Sequence, residues 1–258
     1  MTYRCAVIGN PIVHSQSPQI HAAFAAKQGI DLQYDKILAT EENFTAVVQD
    51  FFAQGGHGLN ITLPFKEKAY ALAQQHSPYA RTAGAVNTLW MENGELCGDN
   101  TDGRGLVRAL SQQHGIDLSG KRLLLLGAGG AARGVILPLL EAQVSQIDIL
   151  NRSPDKARAL ADLYAERVAA VEHPAQGYDL IINATSAGLG DSAFTLSPTT
   201  LHEQTLCYDM MYGKQTPFMQ WAAAQGCTQI ADGYSMLENQ AWLAFHIWFG
   251  TIIKKDNI

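Results

Sequence analysis

Four groups of residues in this 258-residue chain have the types and spacing to do chemistry. The first centres on Lys66. It closes the stretch Leu59-Asn60-Ile61-Thr62-Leu63-Pro64-Phe65-Lys66, where polar and apolar residues alternate. Asn60 and Thr62 therefore share one face of a strand. Pro64 is expected to open a helix with Lys66 in its first turn, where the macrodipole disfavours a cation. A function explains such a local conflict, although an exposed surface lysine is the plainer alternative. The second group is the serine pair in His14-Ser15-Gln16-Ser17-Pro18. Ser17 reads as an N-cap with Pro18 at the first helical position. Two hydroxyls beside free helix amides also make a site for a carboxylate.

The third group is polar and Asx-rich. Asn87 sits in the apolar stretch Ala85-Val86-Asn87-Thr88-Leu89, and Gly98-Asp99-Asn100-Thr101-Asp102-Gly103 reads as a turn opening a helix. Caps and turns account for most such residues, and nothing local separates Asp99 from Asp102. The fourth group is the most specific. A strand at Arg122-Leu123-Leu124-Leu125-Leu126 runs into Gly127-Ala128-Gly129-Gly130-Ala131-Ala132-Arg133 and then a helical pattern. In G-x-G-x-x-A the first glycine makes a tight turn and the second lets backbone approach a pyrophosphate. The third position needs a small side chain for helix packing, and Ala132 supplies it. Helix amides then face the anion. The next strand, Ile147-Asp148-Ile149-Leu150, ends in Asn151, Arg152 and Ser153 rather than in an acid. A guanidinium and a hydroxyl suit a 2′-phosphate, so NADP(H) is favoured over NAD. A third strand ends in Asn183-Ala184-Thr185-Ser186, small polar residues placed to line the ribose and nicotinamide side.

These groups need elements to hold them. Strands are expected at residues 5–8, 34–38, 59–63, 86–91, 122–126, 147–150, 180–183 and 206–210, with helical patterns between them. That alternation implies βαβ units, and hence an α/β fold with mostly parallel sheets. A dinucleotide-binding Rossmann unit starts with a strand and a glycine turn, so the residues ahead of Lys121 must build a sheet of their own. Two domains follow, with a seam near residues 102–120. The apolar pattern over residues 235–253 can return as a helix to the first domain. The division is 1–102 with 236–258 for the first domain and 103–235 for the second.

Composition narrows the function classes. Hydrophobic residues make up 47% and charged residues 16%, the reverse of a disordered chain. A net charge of −6 without a Lys/Arg run argues against a nucleic-acid partner. No apolar run approaches the ~18 residues that span a bilayer, and the opening MTYRCAVIGNP reads as a first strand, not a signal peptide. Four scattered cysteines without CxxC spacing fit reduced thiols in a cytoplasmic protein, with no metal site expected.

Taken in order, the motifs resemble the shikimate dehydrogenase family. The likeness runs from Gly9 to Gln240 through HSxSP at 14–18, NITLPFK at 60–66, AGAVNT at 83–88, GDNTDG at 98–103, GAGGAARG at 127–134, NRS at 151–153, NATS at 183–186 and DMMY at 209–212. The resemblance implies NADPH-dependent reduction of 3-dehydroshikimate to shikimate, on the way to chorismate and the aromatic amino acids, in a cleft between a substrate domain and a Rossmann domain. It implies a monomer or homodimer. By the same resemblance Lys66 and Asp102 are the catalytic pair, and Ser15 and Ser17 hold the substrate carboxylate. Thr62, Asn87 and Gln240 bind ring hydroxyls, with Asn60 and Tyr212 beside them. Gly127, Ala128, Gly129, Gly130 and Ala131 cradle the pyrophosphate. Asn151, Arg152, Ser153 and Lys156 meet the 2′-phosphate end, Thr185 lies along the cofactor, and Met210 and Gly233 face the nicotinamide.

The chemistry agrees with those roles: hydride transfer to a ketone leaves an oxygen that an ammonium can protonate. The chain departs from the family pattern at Ala132, commonly Ser. It also departs at Gly233-Tyr234-Ser235-Met236, commonly GLGM, and at His76-Ser77-Pro78, where many members carry an acid. Three alternatives stand beside this reading: a quinate-using paralogue, a methylenetetrahydrofolate-type dehydrogenase, and a non-catalytic NADP-binding regulator. The paired serines disfavour the folate enzyme, and the joint presence of Lys66 and Asp102 disfavours the regulator.

Overall fold

A computed structural model describes residues 1–185, 196–250 and 252. Ser186 of the NATS motif and the end of the 235–253 helical pattern therefore lie outside the described residues. The chain divides into two compact units, Met1–Gly105 with Glu238–Ile258, and Leu106–Leu237. The divisions fall inside two helices.

In the first unit the elements run β1 (Tyr3–Gly9), α1 (Ser17–Gln28), β2 (Leu32–Leu38), α2 (Phe44–Ala53), β3 (Gly58–Ile61), α3 (Lys66–Leu72), β4 (Gln75–His76), α4 (Pro78–Ala83), β5 (Thr88–Glu92), β6 (Glu95–Asp99) and α5 (Asp102–Arg108). The sheet order is β2-β1-β3-β5-β6-β4. β1 pairs in parallel with β2 and β3, whereas β5 is antiparallel to both β3 and β6. Side-chain alternation splits the core into two layers. Ala6, Ile8, Leu59 and Ile61 face Phe44, Val48, Phe51 and Phe65 on one side. Cys5 faces Ala25 of α1 and Phe245, Trp248 and Phe249 on the other. Those last three belong to α9 (Tyr234–Phe249), which carries the C-terminal part of this unit.

The second unit continues with β7 (Arg122–Leu126), α6 (Gly130–Glu141), β8 (Gln146–Leu150), α7 (Pro154–Ala161), β9 (Val168–Ala170), β10 (Leu180–Asn183), β11 (Leu206–Asp209), α8 (Pro217–Ala224) and β12 (Gln229–Ala231). All its strand pairs are parallel, in the order β12-β11-β10-β7-β8-β9. That is the doubly wound order of a dinucleotide-binding sheet, whose direction of winding reverses between β7 and β10. The unbroken leucine run of β7 follows from burial on both faces. Leu123 and Leu125 pack with Val135 and Leu139 of α6, while Leu124 and Leu126 pack with Phe218 and Ala222 of α8. Each fully buried leucine contributes about 2 kcal/mol relative to an exposed one.

Candidate active site

Lys66 is the first residue of α3, with Phe65 at the N-cap position, so the helix starts two residues later than Pro64 led one to expect. Its electrostatic conflict with the helix is met by a carboxylate: Lys66 Nζ donates to Asp102 Oδ2 at 2.5 Å. Asp102 opens α5, and its other oxygen accepts from Asn87 Nδ2 at 2.8 Å. Asn87 precedes β5 at a bend rather than lying within the strand, and is 2% exposed. Its Nδ2 also donates to Thr101 Oγ1 at 3.0 Å and to Gln240 Oε1 at 3.3 Å, while its Oδ1 accepts from the Thr101 amide and the Thr88 hydroxyl. Lys66 and Asp102 remain partly exposed, at 27% and 16%. The pair is thus fixed from behind and open in front, which is what an exchangeable proton at Nζ needs.

The structure separates the two aspartates that the sequence left equivalent. Asp99 is buried, ion-paired with Arg104, and bonded by the Ser77 hydroxyl and the Asn100 amide. Arg104 in turn lies over the Tyr79 ring at 4.3 Å. Asp99 therefore braces the loop, and Asp102 is the carboxylate presented to Lys66. Ser77 also caps α4 by accepting from the Ala80 amide.

Ser15 and Ser17 lie together, with Ser15 Oγ donating to Ser17 Oγ at 3.2 Å and accepting from the Ser17 amide at 3.3 Å. Ser17 itself is the first residue of α1; Gln16 occupies the cap position and makes no side-chain cap bond. The expected cap role thus passes to Ser15. Thr62 falls just beyond β3, half-buried beside Gly9. Asn60, on β3, spends its amide inward: Oδ1 accepts from Tyr34, and Nδ2 donates to the Asn87 carbonyl and Thr88 Oγ1. Asn60 is a brace beside the site. Tyr34 leaves no pattern in the sequence, because its contact crosses a strand.

On the nucleotide side Gly127 has φ of +106°, in the region that favours glycine, and a Cβ there would lie 3.1 Å from Thr185 Cγ2. These two residues follow the ends of β7 and β10, at the reversal of strand order where open α/β sheets bind ligands. Gly129, Gly130 and Ala131 are exposed, Ala128 is half-buried, and the α6 N-terminus has no side-chain cap, leaving its amides for an anion. After β8, Asn151 Nδ2 holds the Ser153 carbonyl at 2.9 Å. Arg152, Ser153 and Lys156 are exposed, and among the described residues neither cation has an ion-pair partner. The acid in this strand, Asp148, is buried and bonded by the Tyr178 hydroxyl at 2.6 Å, so it is not offered to a ribose. The donor set thus fits a dinucleotide with a 2′-phosphate.

Met210 and Gly233 adjoin: a Cβ on Gly233 would fall 2.2 Å from the Met210 carbonyl oxygen. The loop carrying Met210 and Tyr212 is pinned by buried Asp209, which accepts from Asn183, Thr216 and the Met211 amide. Tyr212 therefore belongs to the second unit, and burial raises its phenol. Ser235 falls in the first turn of α9, where a side chain is no burden, so its replacement of a family glycine leaves the backbone regular.

A partly exposed lysine paired with a carboxylate, together with a cradle that fits a phosphorylated dinucleotide, is the equipment of a nicotinamide-dependent dehydrogenase. Comparison with known proteins makes this specific. Residues 7–89 match the shikimate dehydrogenase substrate binding domain, and residues 109–189 match shikimate/quinate 5-dehydrogenase. The chain is 51% identical to a shikimate dehydrogenase (NADP(+)) of Janthinobacterium sp. (strain Marseille), over 94% of this chain and 90% of that protein. An Ael1 enzyme from Pseudomonas putida superposes with a TM-score of 0.91 at 41% identity, covering 98% of this chain and 96% of that one. A shikimate 5-dehydrogenase from Thermus thermophilus, solved with NADP(H) and shikimate, gives 0.85 at 36% identity, covering 98% and 95%. The chain belongs to the shikimate dehydrogenase family. Among the described residues, no helix is long and apolar enough to cross a membrane.

Proposed function

We infer that this chain catalyses the reversible, NADPH-dependent reduction of 3-dehydroshikimate to shikimate, a step towards chorismate and the aromatic amino acids. The observation that carries the reading is the Lys66–Asp102 pair at 2.5 Å, oriented by Asn87. The first unit, Met1–Gly105 with Glu238–Ile258, is assigned the substrate, and Leu106–Leu237 the cofactor. Bound NADPH supplies the hydride. Lys66 Nζ holds the proton that the reduced ketone oxygen needs, and Asp102 keeps that ammonium aimed and accepts from a substrate hydroxyl. Ser15 and Ser17 hold the carboxylate. Thr62, Asn87 and Gln240 read the ring hydroxyls, with Asn60 and Tyr212 beside them. In the oxidation direction Lys66 Nζ takes the proton from the substrate hydroxyl. Exposed Arg152, Ser153 and Lys156 meet the 2′-phosphate, Gly127 to Ala131 the pyrophosphate, and Thr185, Met210 and Gly233 the remainder. A cytoplasmic location agrees with four free cysteines, three of them buried.

The test is spectrophotometric. Purified protein is assayed with shikimate or quinate, and with NADP or NAD, in all four combinations. The reading expects shikimate with NADP to dominate kcat/KM. A clear preference for quinate or NAD, or cofactor binding without turnover, overturns it.

A further inference from the structure

The substrate unit contains an aromatic pair that the reaction as described does not use. Tyr34 lies on β2, the edge strand, paired with Cys5 of β1, while Val7 of β1 pairs with Asn60 of β3. Paired residues share a face, as do residues two apart, so Tyr34, Cys5, Val7 and Asn60 all point the same way. Cys5 and Val7 are short and buried, which leaves room for a phenol to cross above β1. The Tyr34 hydroxyl does so and donates to Asn60 Oδ1 at 2.7 Å. Above it runs α1, on which Ser17 and His21 are one turn apart and share a face. The His21 ring stacks on Tyr34 at 4.5 Å and 15°, and on Trp248 at 5.3 Å. His21 is fully buried with no good hydrogen bond at either ring nitrogen, and burial pushes its imidazolium down to about 3. It is a neutral plate that fixes the angle of the phenol. Burial pushes the Tyr34 phenol well above its ordinary value, so the hydroxyl keeps the proton that it donates to Asn60.

We propose that Tyr34, held by His21, is a positioning residue of the substrate site that anchors the far end of the hydrogen-bond chain ending on the catalytic pair. That chain runs from Asn60 Nδ2 to Thr88 Oγ1, from Thr88 to Asn87 Oδ1, and from Asn87 Nδ2 to Asp102, which holds Lys66. Asn60 has its Oδ1 committed to the phenol and its Nδ2 to the chain. Removing the phenol oxygen leaves a buried carbonyl unpaired, and the amide then turns at the expense of Thr88 and Asn87. A ring needed only for packing would serve equally well as phenylalanine.

The inference rests on the proposed function, so wild-type turnover of shikimate with NADP is measured first; its absence refutes that function rather than the role of Tyr34. In Tyr34→Phe, kcat/KM for shikimate is expected to fall about tenfold while KM for NADP stays unchanged. Tyr34→His is the second variant, because its shorter ring still stacks on His21 but cannot reach Asn60. It must show the same selective loss. Wild-type kcat/KM for shikimate in either variant with unchanged circular dichroism, whatever its melting temperature, overturns the proposal. So does an equal rise in KM for both ligands.

Discussion

The two units solve recognition in opposite ways. In the substrate unit nearly every polar group of the site is already committed. Asn60, Asn87, Thr88 and Thr101 are all buried to 5% exposure or less and bond one another, Asp102 and Gln240. In the nucleotide unit Gly129, Gly130, Ala131, Arg152, Ser153 and Lys156 are exposed. The contrast follows from the ligands assigned to each. A small ring with several hydroxyls is told from its isomers only by donors and acceptors at fixed angles. A phosphate is bound by charge and free amides, which need no prior partner. A wired site transmits damage, whereas an open one confines it.

The largest break in this picture is expected at Lys66. Lys66→Ala removes the proposed proton carrier, and turnover should fall by about 10²- to 10⁴-fold in both directions, with KM for NADP unchanged. Steady-state kinetics decide it; wild-type turnover in the variant refutes the mechanism even if the reaction stands. A smaller effect tests the wiring through pH. The buried His21 imidazole has its ordinary value of 6.5 lowered to about 3. The unfolded chain thus takes up a proton that the native chain refuses. The native advantage is complete above 6.5 and is lost as pH falls from there towards 3. About 2 kcal/mol should go by about pH 5. His114, in the other unit, is also lowered by burial and adds a loss of the same sign. The measurement is therefore the difference between wild type and His21→Phe in urea midpoints at the two pH values. Parallel curves would show that His21 carries no such penalty.

Much of this was legible because burial leaves a pattern. Each of the eight expected strands is present, and the glycine turn after Leu126 announced the second unit. What escaped has physical causes. β6 reads Glu-Leu-Cys-Gly-Asp, whose acids and glycine mask a strand that sits between two others. β4, β9 and β12 are two or three residues long, too short for any period to show. β3 stops at Ile61, one residue short of Thr62. At the site, Lys66 was visible through its conflict with the helix dipole. Asp99 and Asp102 could not be told apart, because Arg104 and Lys66 choose between them through space. Tyr34 and His21 gave no signal at all, since their importance depends on what lies across β1 and above it.

The nucleotide unit sets the smaller tests. Arg152→Ala should raise KM for NADP about tenfold, the worth of one charge-assisted hydrogen bond, and leave KM for NAD and shikimate unchanged. An equal change with NAD would mean that Arg152 does not meet the 2′-phosphate. Ser235→Gly, which restores the residue common in the family, is the mildest and the most discriminating. Ser235 Oγ lies 2.9 Å from the Tyr208 hydroxyl and 3.1 Å from His114 Nε2, and the Tyr208 oxygen accepts from the Met236 amide. Glycine in this first turn of α9 loses those bonds and adds backbone entropy to the unfolded chain, at a cost of about 1 kcal/mol in stability. A comparable loss in the substrate unit would reach the catalytic pair through Asn60 and Asn87. Those Ser235 bonds run to Tyr208 and His114, away from the exposed cradle, so the melting temperature should fall while KM for NADP stays within about twofold. A larger rise in that KM would show that the nucleotide unit is wired as well, and that openness at its surface hides a dependence beneath it.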